Sequence, residues 1–507
     1  MGTGRGPEGT RLNISADEFC AIAQHQERPL IIPLCLEREL PPISPLDTYL
    51  GLRSENGFLL ESLDGGEKIA RYSYIGLNPR LLITLGDEPA VTGDERFVSI
   101  ASSPRGKTAV DQIRDILSRF RMVNLRAPRY FGGVVGYFAY DLVNDLCPSL
   151  KTEEPGKLPV SQFIMTTDSI VFDHVCRKIY IFDSPLLMHE SDPAAEYRAC
   201  RERIDRMGSR LDELCREPSG PAESAPVKVG DIRPGDREAF EDAVRSAKEF
   251  IAAGDIFQAV LSREISCPFE GDPFSIYRAL RTINPSPYMY YLDFGARTII
   301  GASPEMLVRV EGGKVTTVPI AGTRPRGSDP AEDARLAQEL LADEKERAEH
   351  IMLVDLARND IGRVATFGSV RVDGLMEVEK FSHVQHIVST VSGTLRGNLD
   401  CYDAFVSCFP AGTVSGAPKL RAMEIIRDLE GDRRGLYAGA VGYIGFNRTL
   451  EFAIAIRTII TEGPFAFTRV GAGIVADSVP ENEWAETENK AAAMIRAIRA
   501  AGGGDLR

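Results

Sequence analysis

Short apolar runs separated by turn residues fill the first two hundred positions. Leu30–Leu36, Gly57–Leu63, Tyr130–Tyr140 and Phe163–Ile181 predict strands and hairpins with a few helices between them. Past residue 237 the pattern sharpens. Arg237–Ala253 repeats apolar side chains at helical spacing behind Asp236, a good N-cap, and predicts an amphipathic helix. Tyr288–Phe294, Thr298–Gly301, Met306–Glu311 and Lys314–Pro319 predict an antiparallel meander with Gly312-Gly313 as a hairpin turn. One long helix is predicted from about Pro330 to Asn359, then strands over Ser369–Glu379 and His383–Leu395 and a helix over Pro418–Leu429. Strands over Tyr437–Phe446, Glu451–Ile460 and Ala466–Val475 lead to a last helix, Glu481–Ala500. Hairpinned strands with helices between them argue for an α+β fold, not a doubly wound parallel sheet.

Composition narrows the class. Of 507 residues 43% are hydrophobic, and 59 basic against 73 acidic side chains give a net charge of −14. That balance excludes a disordered, collagen-like or membrane-embedded chain. The absence of a basic run argues against a nucleic-acid partner. Nine cysteines form no CxxC pair and are expected as reduced thiols. The start lacks an apolar signal core and no stretch is long enough to span a bilayer, so a soluble, cytoplasmic protein is expected. A stretch rich in Pro, Gly, Ser and Glu at 216–236 reads as a linker between an N-terminal half (10–215) and a C-terminal half (237–500).

Four features could carry chemistry. Glu346 and Glu349 on one predicted helix, and Glu483 and Glu486 on another, are each three apart and share a helix face. Two such pairs facing each other would suit a hard cation such as Mg²⁺; the same spacing equally suits surface ion pairs with Lys345, Arg347 and Lys490. In Glu451–Ile460, alternation puts Phe452, Ile454, Ile456 and Thr458 on a core face and Ala453, Ala455 and Arg457 on the other, with room for an anion beside Arg457. Gly471 and Gly473 share a face of the next strand, as a close backbone–ligand approach requires; an edge Arg457 paired with Glu451 is the competing reading. His386 lies in a strand beside apolar residues and reads as a satisfied core histidine or as a proton carrier. PAGTVSGAPK (410–419) is a glycine-rich turn into a helix, a weak anion-site signal.

These residues fall in longer motifs. NPSPYMYYLDFG (284–295), GASPEMLVRV (301–310), PIAGTRPRG (319–327), ERAEHIMLVDLARNDIGRV (346–364) and FSHVQHIVSTVSGTL (381–395) are five of them. FPAGTVSGAPKLRAMEII (409–426), GAVGYIGF (439–446) and GAGIVADSVPENEWAETENKA (471–491) complete the set. Together they resemble the chorismate-binding enzyme family, and LLESLDGGEKIARYSYIG (59–76) is similar to its anthranilate synthase branch. The resemblance spans roughly residues 30–500. It implies a two-layer architecture of largely antiparallel sheets flanked by helices, a catalytic half at 237–500 and a regulatory half at 10–215. It implies Mg²⁺ held by Glu349 and Glu486, with Glu346 and Glu483 in support. It implies chorismate contacts at Gly322, Thr323, Tyr437, Arg457, the Gly471-Ala472-Gly473 backbone and Lys490. Glu305 is then the acid for the leaving C4 hydroxyl, and His386 serves the later loss of pyruvate. Sister enzymes carry a lysine nucleophile where Ala321 stands, or a water-activating lysine where Gln258 stands; Gln258 favours ammonia as the attacking group, and both departures favour the anthranilate synthase branch. No GxCxG glutaminase turn is present, so the resemblance implies a separate glutamine amidotransferase subunit in a heterotetramer of two large and two small chains. It also implies feedback inhibition by L-tryptophan in a pocket at Ser62, Pro287, Tyr288 and Met289. A catalytically silent tryptophan-sensing subunit is the rival from another class, and it predicts damage at the glutamates or Arg457.

Overall fold

The computed structural model of the chain describes residues 12–63, 71–123, 128–152, 156, 158–217, 226–381 and 384–504. Residues 218–225 of the expected linker, residues 10–11, and most of the LDGGEKIAR stretch lie outside these. Within them two large sheets, twelve- and eleven-stranded, pack face to face. The fold is α+β and, in the large sheets, antiparallel throughout, as the hairpin pattern predicts.

The first sheet runs in the order Lys228–Val229, Gln258–Glu270, Phe465–Ile474, Thr458–Glu462, Arg297–Ser303, Tyr288–Asp293, Phe58–Glu61, Tyr72–Gly76, Asp168–Asp173, Lys178–Asp183, Leu34–Glu39. The second runs Ile320–Pro325, Val384–Thr394, Lys314–Thr317, Met306–Glu311, Leu450–Ile454, Ala440–Gly445, Gly133–Phe138, Ser161–Thr166, Leu81–Leu85, Ala90–Gly93. Each sheet therefore mixes strands from before and after residue 216.

Strand Gly133–Phe138 explains the layering. Val135 and Tyr137 face the other sheet and pack with Val171, Tyr74 and Phe58. Val134 and Phe138 point the opposite way, against Ile113, Phe405 and other helix side chains. A strand buried on both faces needs apolar residues at every position, which is why YFGGVVGYFAY reads as a continuous run instead of an alternation. Helices Ala109–Ser118, Glu344–Gly362 and Cys401–Cys408 cover the second sheet; Pro193–Arg216, Phe274–Ile283 and Pro480–Ala501 cover the first.

Three expectations need correction. The meander over 288–319 is split: Tyr288–Asp293 and Arg297–Ser303 pair in the first sheet, whereas Met306–Glu311 and Lys314–Thr317 pair in the second. The single helix over 330–359 breaks at Asp343, whose extended backbone ends Pro330–Ala342 and whose carboxylate caps the amides of Lys345 and Glu346 at the start of Glu344–Gly362. The strand over 451–460 is two strands, Leu450–Ile454 in the second sheet and Thr458–Glu462 in the first. Arg457, with φ of +50°, stands in the crossing between them.

Candidate active site

Two chain crossings make the site. One carries Glu305, between Arg297–Ser303 in the first sheet and Met306–Glu311 in the second; the other carries Arg457 in the reverse direction. They are tied side by side, Ile454 N–H donating to the Glu305 carbonyl (3.0 Å) and Ala302 N–H to the Arg457 carbonyl (3.1 Å). Strand pairing above and below thus fixes an acid and a cation together where neither sheet is continuous.

Beside them lies a cavity of about 640 Å³. Its walls carry Glu305, Gly322, Thr323, Tyr437, Arg457, Gly471, Gly473, Lys490, Glu349, Glu483 and Glu486, together with Gln258 and Ala321. Most of the expected site is therefore brought to one place from eight separate segments. Ile456, expected on a core face, lines the cavity with Arg457, because the backbone turns between them instead of alternating. Arg457 does not pair with Glu451, whose oxygens accept from Tyr288 and Tyr443 (3.1 Å each).

Glu305 is 8% exposed, and burial raises its pKa to about 8; the Thr413 hydroxyl, 3.1 and 3.2 Å from its two oxygens, and nearby Arg457 pull the other way. At neutral pH it is a protonated carboxylic acid facing the cavity. Thr413 belongs to the glycine-rich PAGTVSGAPK run, so that motif supplies a partner for the acid. Sequence separation of 108 residues hid the contact.

The glycines make room for specific atoms. A Cβ at Gly471 would stand 2.5 Å from the Tyr437 hydroxyl and 2.7 Å from the Leu261 carbonyl; one at Gly473 would stand 2.6 Å from Gln258 Nε2. Ala472 turns the other way, into the core with Leu261, Ile474 and Trp484. Lys490 donates to the Gly471 carbonyl (3.0 Å) and pairs with Glu486 (2.7 Å). Gly322 adopts φ of +69° in a bulge of its strand, turning the Gly322-Thr323 backbone toward the cavity.

Two expected residues stand behind the wall. His386 Nδ1 bonds the Gly322 carbonyl (2.9 Å) and the Thr323 hydroxyl (3.1 Å), and burial lowers its pKa, so it is neutral at pH 7. Glu346 turns to Arg324 (3.2 Å) and leaves the cavity wall to Glu349.

No group of three or more His, Cys, Asp or Glu side chains stands at metal-binding spacing among the described residues. The donor chemistry still fits a hard divalent cation. Burial raises the pKa of Glu349 and of Glu483; repulsion from Glu486 adds to both shifts. Oxygen Oε2 of Glu483 is buried with no hydrogen-bond partner. Carboxylates from two helices are thus crowded together beside Lys345 and Lys490, with one oxygen, on Glu483, left without a partner.

A second, smaller cavity of about 60 Å³ lies between the sheets. Ser62, Pro287, Tyr288 and Met289 all line it, with Tyr74, Tyr443 and Glu451. The Ser62 hydroxyl donates to the Pro287 carbonyl (2.7 Å) on its wall.

Residues 65–496 match the chorismate binding enzyme family. Anthranilate synthase component 1 of Aquifex aeolicus is 43% identical, over 97% of this chain and 98% of that protein. Anthranilate synthase component 1 of Acetivibrio thermocellus is 45% identical, over 93% and 96%. The crystal structure of anthranilate synthase component I from Streptococcus pneumoniae superposes with a TM-score of 0.69 at 37% identity, covering 90% of this chain and 99% of that one.

Proposed function

The chain belongs to the chorismate-binding enzyme family, among its anthranilate synthase component 1 members, and we propose that its 640 Å³ cavity converts chorismate and ammonia to anthranilate and pyruvate. The observation that carries the reading is the protonated Glu305 held beside Arg457 at the paired crossings.

The residues divide the work. Arg457 grips a substrate carboxylate, a task suited to its planar fork. Tyr437, whose pKa burial raises to about 12, stays protonated and donates from the Gly471 side. The Gly322-Thr323 and Gly471–Gly473 backbones hold the ring and side chain, with Lys490 fixing the Gly471 carbonyl. Ammonia adds at C2 while Glu305 gives its proton to the departing C4 hydroxyl, which leaves as water. Loss of the C2 proton and of pyruvate then aromatises the ring; His386, supporting the Gly322-Thr323 cradle, serves this step. Ala321 offers no nucleophile and Gln258 is too poor a base to activate water, so ammonia, already nucleophilic, is the better attacker. Glu349 and Glu486, with Glu483 and Glu346 in support, would hold Mg²⁺, which supplies positive charge beside the substrate carboxylate when bound.

The ammonia comes from a component 2 glutaminase, in a heterotetramer of two large and two small chains acting in the cytoplasm. L-Tryptophan binds in the smaller cavity and inhibits. That space is small as it stands, and tryptophan is expected to displace the Ser62–Pro287 contact on its wall. Tyr288 pairs with Ser303, two residues before Glu305, so such a displacement reaches the acid. Regulation thus draws on both 10–215 and 237–500, whereas the catalytic cavity is lined from 237–500 alone.

Pyruvate release from chorismate tests the reaction class. Release that requires ammonium supports the reading. Release without ammonium, or chorismate consumed with no pyruvate, refutes it.

A further inference from the structure

Behind the cavity lies a buried ion pair that is not itself in its wall but holds residues that are: Val260, Val414, Tyr437 and Arg469. Arg434 and Glu430 are one helical turn apart, with side chains 2% and 3% exposed. Arg434 donates through Nε and Nη2 to both Glu430 oxygens (2.9 and 2.7 Å). Glu430 also accepts from the Ser262 amide (2.7 Å) and hydroxyl (2.8 Å). The guanidinium is therefore locked in place, and it spends two further donors on carbonyls: Nη1 on Val414 (2.8 Å) and Nη2 on Val260.

Val414 adjoins Thr413 in the short turn Gly412–Val414, and Thr413 is the hydroxyl on Glu305. That turn has no side-chain cap of its own. The donor on its last carbonyl holds the turn together with the Ser415 hydroxyl on the Ala411 carbonyl (2.8 Å). We propose that Arg434 is a positioning residue for the reaction, acting on Glu305 through the Val414 carbonyl and the Thr413 hydroxyl, with Glu430 as its anchor. The proposal rests on Glu305 being the catalytic acid.

The relay has a direction that pH can read. A hydroxyl donated to the carboxylate favours its ionised form, so a misplaced Thr413 raises the Glu305 pKa further. The charged and titratable groups facing Glu305 are Arg457 beside it, Lys345, Glu349, Tyr437, Arg469, Asp477, Glu483, Glu486 and Lys490 around the cavity, and the Asp360–Lys419 pair beyond a small cavity behind it. Arg434→Lys keeps the charge and so leaves their field unchanged, while losing the fork that reaches both Glu430 and Val414.

The experiment compares the wild-type chain with R434K, T413V and the double variant, using ammonium-supported turnover of chorismate across pH. R434K is expected to lower kcat about tenfold, with little change in KM, and to move the alkaline limb of kcat upward, as T413V does. In the T413V background R434K should cost less than threefold, because the relay is already cut. If R434K is not recovered folded, E430Q keeps the side-chain shape and weakens the anchor, while Arg469, the other partner of Glu430 (3.3 Å), keeps its pair with Asp432 (2.8 Å); the same shifts, smaller, are expected. A folded R434K or E430Q with wild-type kcat and limb, or additive losses in the double variant, overturns the proposal. Failure of the acid assignment shows separately, as an E305Q chain that keeps the wild-type limb while the R434K–T413V coupling persists.

Discussion

Replacing Glu305 by glutamine separates catalysis from stability in opposite directions. The amide keeps the shape of a protonated carboxyl and can still meet the Thr413 hydroxyl, but it has no proton to release. General acid catalysis contributes about 10²–10⁴ in rate, so turnover should fall by about that factor. The wild-type alkaline limb, set by an acid ionising at about 8, should vanish. The fold should gain. In the unfolded chain this carboxyl ionises near its ordinary 4.5, so folding at pH 7 requires uptake of a proton. At about 1.36 kcal/mol per pH unit, over about 2.5 units, that costs about 3 kcal/mol, which glutamine does not incur. The sign is fixed: with a raised folded pKa, wild-type stability is greatest below pH 4.5 and declines as pH rises through 8, while E305Q lacks that decline. Ammonium-supported kcat from pH 6 to 9.5, with urea midpoints at pH 5, 7 and 9, reads both effects. Wild-type turnover in E305Q, or a midpoint at pH 9 no higher than wild type, would refute the reasoning.

Other perturbations follow from the same geometry. Gly471→Ala puts a methyl against the Tyr437 hydroxyl and the immovable Leu261 carbonyl; overpacking of about 1–3 kcal/mol and a tenfold or greater loss of kcat/KM should result, read by steady-state kinetics. Glu349→Ala should lower Mg²⁺-supported turnover about a hundredfold or more, without lowering the thermal midpoint, because it removes a half-buried carboxylate crowded by like charges; a stable variant with full activity would contradict the metal assignment. Ser62→Ala loses the 2.7 Å bond to Pro287, about 1 kcal/mol. The tryptophan concentration for half inhibition should change severalfold while uninhibited kcat stays within twofold, and an unchanged inhibition curve would remove Ser62 from the pocket's function.

How much of this was legible in the chain depends on range. Local signals were readable: Met306–Glu311, Arg237–Ala252 and the last helix follow from apolar period and caps. The break at Asp343 was readable too, since Asp343 followed by Glu346 is a capping pattern, yet the apolar period runs across it. Sheet membership was not. Residues 288–319 alternate regularly while the chain passes from one sheet to the other, because alternation reports burial, not which neighbour buries. Arg457 reached the cavity by a backbone turn at positive φ, which a non-glycine residue does not announce. Its side was right although the strand supposed to carry it is broken. The glutamate pairs were visible at helical spacing; the diversion of Glu346 to Arg324, 22 residues away, was not. Thr413, and the burial of the Glu430–Arg434 pair, depend on contacts 108 and more than 160 residues apart that only folding makes.

The central claim is that this one cavity makes anthranilate from chorismate and ammonia. The most direct test is anthranilate fluorescence from the purified chain supplied with chorismate, Mg²⁺ and ammonium at alkaline pH, without glutamine or a partner subunit. The account predicts a signal that requires both Mg²⁺ and ammonium and that falls as tryptophan is added. Chorismate consumed without fluorescence would contradict it, assigning the cavity to a different reaction of the same substrate.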